Sequence, residues 1–423
     1  MTTSTKALVA HVLRRTTFGP FPGQVDTWAA KGVAATIDHV LAAPALSIAN
    51  WPTAAAADDG SNLPVRWWLA RMANPNAGLH EKMTFFWHGH FTTGHDKVYR
   101  WKCEVPQNVA IRTYAMGNVR SMIQKLTVGS AMLLYLDGSW SSADAPNENY
   151  SRELMELFLL GRGTAAKPNY TQTDVENGAK ALAGYGVDWD TGKVTFYADN
   201  ALATGVTVKY LGKNVRTAAQ VVDAALAHPA AARWLCAAMW KYLIGTDAPA
   251  AKQAALAAIL VKNKWNVKPV LSAILHDTAF LHARLNRPRQ PIEWVTAGMA
   301  ALGLTDAAHP GLRTDTLWTL GQLPFYPPNV AGWPWGNRWV GPGIVLAKAA
   351  FAVEAPGLSV VATAKDPVAA ALARCSIYEV SSTTLAALRK AASDPSLAGT
   401  ANRTRRAKVL LALALGSPEF ALA

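Results

Sequence analysis

The stretch PNENYSRELMELF, residues 146–158, gathers Glu148, Glu153 and Glu156 into thirteen positions of a chain that is only 16% charged. Two carboxylates in unlike surroundings can divide the labour of acid and base between them, because burial and neighbouring charges push their pKa values apart. Glycoside hydrolysis needs such a pair. On this reading Glu148 or Glu153 is the general acid, and Glu156 or Asp174 is the general base or nucleophile. Asn147, beside Glu148, hydrogen-bonds a substrate hydroxyl, and Arg152 joins the substrate-binding set. The competing reading is an ordinary helix. At 100° per residue Tyr150, Leu154, Leu157 and Phe158 fall on one face, with Asn149, Arg152, Glu153 and Glu156 opposite. An Asn N-cap near Asn147 or Asn149 accounts for the asparagines, an early Glu148 suits the helix dipole, and Arg152–Glu156 forms an i,i+4 pair. Against a plain surface helix, Met155, Leu159 and Leu160 flank the polar stripe, as in a helix buried nearly all round.

A second cluster lies in HEKMTFFWHGHF, residues 80–91, where His88 and His90 stand two apart. The pattern up to Trp87 is helical, so Gly89 is expected to end the helix and redirect His90. Two imidazoles at a helix end can polarise a substrate or bind a transition metal. They can equally hydrogen-bond buried carbonyls. The leading reading requires no cofactor. The alternative is a divalent transition metal held between helices by His88, His90, Glu148, Glu153 and Glu156.

The third cluster is FYPPNVAGWPWGNRW, residues 325–339. Tyr326, Trp333, Trp335 and Trp339 offer flat faces near Asn329, an arrangement suited to stacking sugar rings while hydrogen-bonding their hydroxyls. The alternative is a Pro/Trp plug that serves packing alone.

These side chains need a scaffold, and helical periodicity dominates the chain. Apolar residues recur at spacings of three and four over 4–15, 23–43, 63–73, 78–91, 149–160, 171–183 and 229–243, among others. The expected fold is mostly α, one helical domain over 1–423. A small β insertion is expected at 184–212, where GYGVDWDTGKVTFYADN reads as a hairpin and VTVKYLG as a third strand. Residues 320–343 are expected to be an ordered irregular loop.

Composition narrows the partners. The formal charge of +13 favours an anionic polymer or glycan. No concentrated basic stripe or known module accompanies it, so a nucleic-acid reader is not expected. Three distant cysteines make neither a disulfide framework nor a zinc-finger spacing. No run of 18 apolar residues suggests a membrane span. No leader is read at the N-terminus, which fits a cytoplasmic chain or the mature form of an exported one.

Taken together, HVLRRTTFGPFPGQV (11–25), EKMTFFWHGHF (81–91), AMLLYLDG (131–138), NENYSRELMELFLLGRG (147–163), YTQTDVENGAKALAGY (170–185), FYPPNVAGWPWGNRW (325–339) and SPEFALA (417–423) resemble the bacterial family catalogued as domain of unknown function 1800. The resemblance implies a mostly helical fold in proteins often exported and often encoded beside a sulfatase-like partner. The chain departs from the pattern at Gly89, where the family usually has Asn. It departs again at Leu202-Ala203, where the family often has His-Asp. The second departure weakens the case for an obligatory metal. A non-enzymatic polymer-binding or secretion-partner module remains a further alternative.

Overall fold

The computed structural model describes residues 4–48, 51–52 and 62–423. The expected mostly α architecture is what these residues form: helices from Thr5–Thr16 to Pro418–Ala421, with only two-stranded antiparallel sheets between them. Local chemistry starts many helices where it should. Ser4 caps Thr5–Thr16 through the Ala7 N–H, and Thr171 and Thr217 open Gln172–Leu182 and Ala218–Ala227 with reciprocal capping boxes.

The β insertion splits in two. Tyr185–Val187 pairs with Val194–Phe196 in the expected hairpin, with Tyr185 opposite Phe196. Val208–Tyr210 does not join it as a third strand. It pairs with Lys213–Val215 across the tight turn at Leu211-Gly212, forming a separate hairpin against Gln172–Leu182. A short Gly163–Thr164/Lys167–Pro168 pairing adds a sheet with no period-2 pattern long enough to announce it.

Two apolar clusters make the core. One runs from Val9 through the middle helices to Ala283. The other joins Phe18, Val65–Met72 and Trp101 to Ile292–Phe420. The Gly78–His90 helix lies between them, giving Met83, Phe86 and Trp87 to the first and Phe85 to the second. All three cysteines are buried and none is disulfide-bonded.

Charge locks this seam. The Glu293 carboxylate, at the start of Pro291–Leu302, accepts two hydrogen bonds from Arg287, both 2.8 Å, and one from Lys82 Nζ at 2.5 Å. Lys82 also donates to the Thr17 carbonyl, just past the first helix, at 2.9 Å. Burial alone would raise the Glu293 carboxyl, but Arg287 and Lys82 hold it far below the carboxylate range. Burial pulls the Lys82 ammonium down to about 8 against the opposing pull of Glu293. Removing one member of such a group strands the others as uncompensated buried charge, which costs about 3–5 kcal/mol. Glu293→Gln is therefore expected to lower unfolding free energy by about that amount, as measured by urea denaturation. A change below about 1 kcal/mol would show that the seam is held by packing alone.

Candidate functional site

A cavity of about 220 Å³ is lined by Phe85, Phe86, Gly89 and His90 from the central helix, and by Ala238, Lys241 and Tyr242 from Pro229–Ile244. Gln290, Gln322, Trp333 and Trp335 complete it. Trp333 stacks on Phe85 with centroids 5.2 Å apart, and Trp335 leans on Tyr242 at 5.7 Å. The charged seam lies beneath, with the Arg287 guanidinium 5.3 Å from the Trp335 ring. Two lining residues carry buried polar atoms without a protein partner, Trp333 Nε1 and Tyr242 Oη. Gln322 is held in place by the Ile292 N–H, which it accepts at 3.0 Å, and by its own bond to Gln290 at 3.2 Å. Apolar walls with a few fixed polar groups are the composition of a small-molecule or sugar pocket.

Gly89 does not end the helix, which continues through His90 to a cap at Phe91. Helical rotation of 100° per residue then sends the two histidines in different directions. His88 Nε2 accepts from the Phe325 N–H at 3.1 Å, which anchors the Trp-rich loop; burial holds its imidazole down to about 3. His90 Nε2 donates to the Phe158 carbonyl at 2.8 Å and is the histidine that lines the cavity. Burial pulls it down to about 4, against the raising effect of that carbonyl, so it is neutral at pH 7. The small residue at 89 has a different use from the expected one. A Cβ there would face Trp333 at 3.5 Å, so Gly89 keeps the cavity wall thin. Gly332, at φ +77°, packs against the Gly89 carbonyl so closely that a Cβ would approach it to 2.3 Å.

The glutamates stand apart from this cavity. Asn149–Glu153 is α-helical, and Leu154–Leu159 then widens into a π-helical turn that no spacing in the sequence announced. Such turns are frequent at functional sites. Consecutive carbonyls at its end accept side-chain donors in place of helix partners: Leu157 from Trp234 Nε1 at 2.9 Å, and Phe158 from His90. Glu156 accepts from Arg162 at 2.5 Å and from the Tyr170 hydroxyl at 2.7 Å. Burial would raise its carboxyl, yet these bonds bring it below its ordinary value. The Glu153 carboxyl has no hydrogen-bond partner among the described residues. Burial, then the charge of Glu156, pushes it up.

The remaining expected residues mostly serve local structure. Glu148 sits at the N-cap without capping the helix; it accepts from Arg152 at 2.9 Å and Gln172 at 2.8 Å. Arg152 thus pairs with Glu148 rather than Glu156. Asn147 accepts from the Asn149 N–H in a turn. Asp174 is committed on both oxygens, Oδ2 to the Thr171 N–H and hydroxyl, Oδ1 to the Leu211 N–H at 2.7 Å. It fastens a helix to a hairpin. Tyr326 donates to Asn62 Oδ1 beside a separate depression lined by Asp96 and Trp318. Asn329 accepts from the Ala331 N–H in a turn, and Trp339 is buried outside the cavity lining.

His88, His90, Glu148, Glu153 and Glu156 therefore do not assemble into one ligand set. Among the described residues no three His, Cys, Asp or Glu side chains form a group able to hold a metal ion. Sequence spacing missed Lys241, Tyr242 and Gln290, because each reaches the cavity from an element distant in the chain, and Gln322, which lies in the expected 320–343 loop but ahead of its aromatic stretch.

Comparison with known proteins yields one match. A family model described as protein of unknown function (DUF1800) covers residues 11–422. No curated protein and no solved structure matches the chain.

The two neutral histidines make stability depend on acid. Their pKa values fall from 6.5 to about 3 and about 4 on folding. Below pH 6.5 the unfolded chain takes up protons that the folded chain refuses, so stability present above that pH is lost as pH falls toward 4. Glu104, pushed up to about 8 by burial, acts in the opposite sense as pH rises toward 8. His90→Gln, measured by urea denaturation from pH 7 to 4, is expected to flatten the acid slope. An unchanged slope would mean that His90 is not held neutral.

Proposed function

The chain belongs to the DUF1800 family, and we propose that it binds a polymeric glycan or similar polymer in the aromatic cavity and hydrolyses it with Glu153 and Glu156. The observation that carries this reading is the divergence of those two carboxyls, one pushed up and one brought down, where the α-helix ending at Glu153 passes into the π-helical turn that holds Glu156. Paired groups driven apart in this way mark acid and base assignments.

In this mechanism protonated Glu153 gives its proton to the leaving glycosidic oxygen as the bond to the anomeric carbon breaks. Glu156, kept ionised by Arg162 and Tyr170, takes a proton from the attacking water, whose oxygen forms the new bond. One water is consumed, and the two carboxyls exchange protonation states before the next turnover. Trp333 and Trp335 stack on sugar rings, while Gln322 and His90 meet hydroxyls. A polymer can span both places. Trp234, Ala238 and Tyr242 follow one another at four-residue intervals along one helix face, a rise of about 12 Å in all. Trp234 reaches the π-helical turn, and Ala238 and Tyr242 line the cavity. The positive charge of the chain, +13, favours an acidic polymer.

A second reading has its own support: among the described residues no carboxylate lines the cavity. On that reading the protein binds a polymer without cleaving it, as a module or partner in export.

Reducing-end release and equilibrium binding on one panel of neutral and acidic polysaccharides separate the two readings. Glu153→Gln is expected to cut kcat/KM at least about 100-fold while binding persists. Trp335→Ala and Gly89→Asn, which strip or fill the cavity, are expected to weaken binding about 10-fold or more. Binding lost in the cavity variants with no hydrolysis by wild type selects the binding-only reading. Hydrolysis unchanged in Glu153→Gln and Glu156→Gln removes the catalytic assignment.

A further inference from the structure

Arg289 is buried to 1% exposure, and none of its three guanidinium nitrogens has a hydrogen-bond partner. Guanidinium does not surrender its proton in a protein, so a full positive charge stands there uncompensated. The one carboxylate acting on it is Glu293, which also serves Arg15, Lys82, Arg287 and Lys348. Five cations thus share one anion. The oxygens of Glu293 are already occupied by Arg287, Lys82 and the Gln290 N–H. Arg14, served by Glu379 at the rim, adds repulsion from the other side.

Neighbouring groups do not repair the imbalance. Cys375 lies nearby, but burial pushes its thiol up to about 12, so it is no thiolate. The guanidinium rests 4.6 Å from the Phe420 ring. A cation–π contact contributes about 2 kcal/mol at most, against several for an unpaired buried ion. The Phe420 ring lies 5.8 Å from that of Trp294, whose Nε1 is a further buried donor without a partner, and Lys348 Nζ stands 5.5 Å from the same indole. Two residues with unpartnered buried donors, Arg289 and Trp294, thus pack against the same Phe420 ring.

We propose that Arg289, with Trp294 and Lys348 beside it, holds a small inorganic anion of chloride size inside the core. Small size follows from the surroundings: Arg287, Glu293, Trp294, Cys375 and Phe420 are all buried, so a bulky organic anion has no open approach to the guanidinium. The site is separate from the aromatic cavity, whose lining includes neither Arg289 nor Trp294.

The test is thermal unfolding of the full chain at constant ionic strength, with sodium gluconate replaced stepwise by sodium chloride or bromide after overnight dialysis. The expected result is a saturating rise in Tm with either halide, about 3 °C near saturation, absent in Arg289→Met. No halide-specific rise in wild type, or the same rise in Arg289→Met, overturns the proposal. Should Arg289→Met fail to fold, bromide-soaked crystals of wild type decide it. An anomalous peak at hydrogen-bond distance from the Arg289 nitrogens upholds the site, and its absence at saturating bromide overturns it.

Discussion

The Glu293 carboxylate is the interaction on which the arrangement turns. It binds Arg287 in two-pronged fashion and Lys82 from the facing helix, and Lys82 extends the tie to the end of the first helix at Thr17. Three stretches of chain, around residues 17, 82 and 293, are thereby set in register between two apolar clusters. Charges buried so deeply are poor sources of net stability compared with well-packed apolar groups. Their contribution here is geometric: only one placement of the three satisfies the carboxylate, and that placement fixes how the two clusters meet.

The cavity is a consequence of that seam. Phe85 and Phe86 are adjacent in sequence but turn into different clusters, and the wall between them is Gly89. The Trp-rich loop closes over the gap because the Phe325 N–H is tied to His88, while Gly332 can lie against the Gly89 carbonyl only without a side chain. His88 and His90, two positions apart, thus do different work. One holds the lid loop, and the other faces the cavity and reaches the π-helical turn through the Phe158 carbonyl. That bond connects the aromatic cavity to the segment carrying Glu153 and Glu156. An excess of buried cations is a by-product of the same construction, concentrated where the Arg289 guanidinium has no hydrogen-bond partner among the described residues.

Much of the scaffold was legible. Period-3.6 patterning marked the helices, and the DTG turn marked the first hairpin, because both are local properties of backbone and side chain. The same locality explains the misses. Gly89 carries a low helix propensity, yet tertiary packing around Trp87 and His90 carries the helix through it. The spacing of Arg152 and Glu156 suited a pair, but the helix widens at Leu154 and Arg162 reaches Glu156 from beyond its end. Asp174 reads from spacing as a candidate general base or nucleophile; its bonds to Thr171 and to the Leu211 N–H join a helix start to a distant hairpin, which spacing does not bring together.

By itself the sequence determined the helical class, the family, and three chemically rich stretches, since composition and periodicity are written residue by residue. Which of those stretches meet was decided by the tertiary structure. The cavity draws Lys241, Tyr242 and Gln290 from elements far from the histidines and tryptophans, adds Gln322 from just before the Trp-rich stretch, and leaves the glutamates on a neighbouring turn. Long-range packing and the sharing of one buried carboxylate among several cations set that outcome. Neither leaves a periodic trace in the chain.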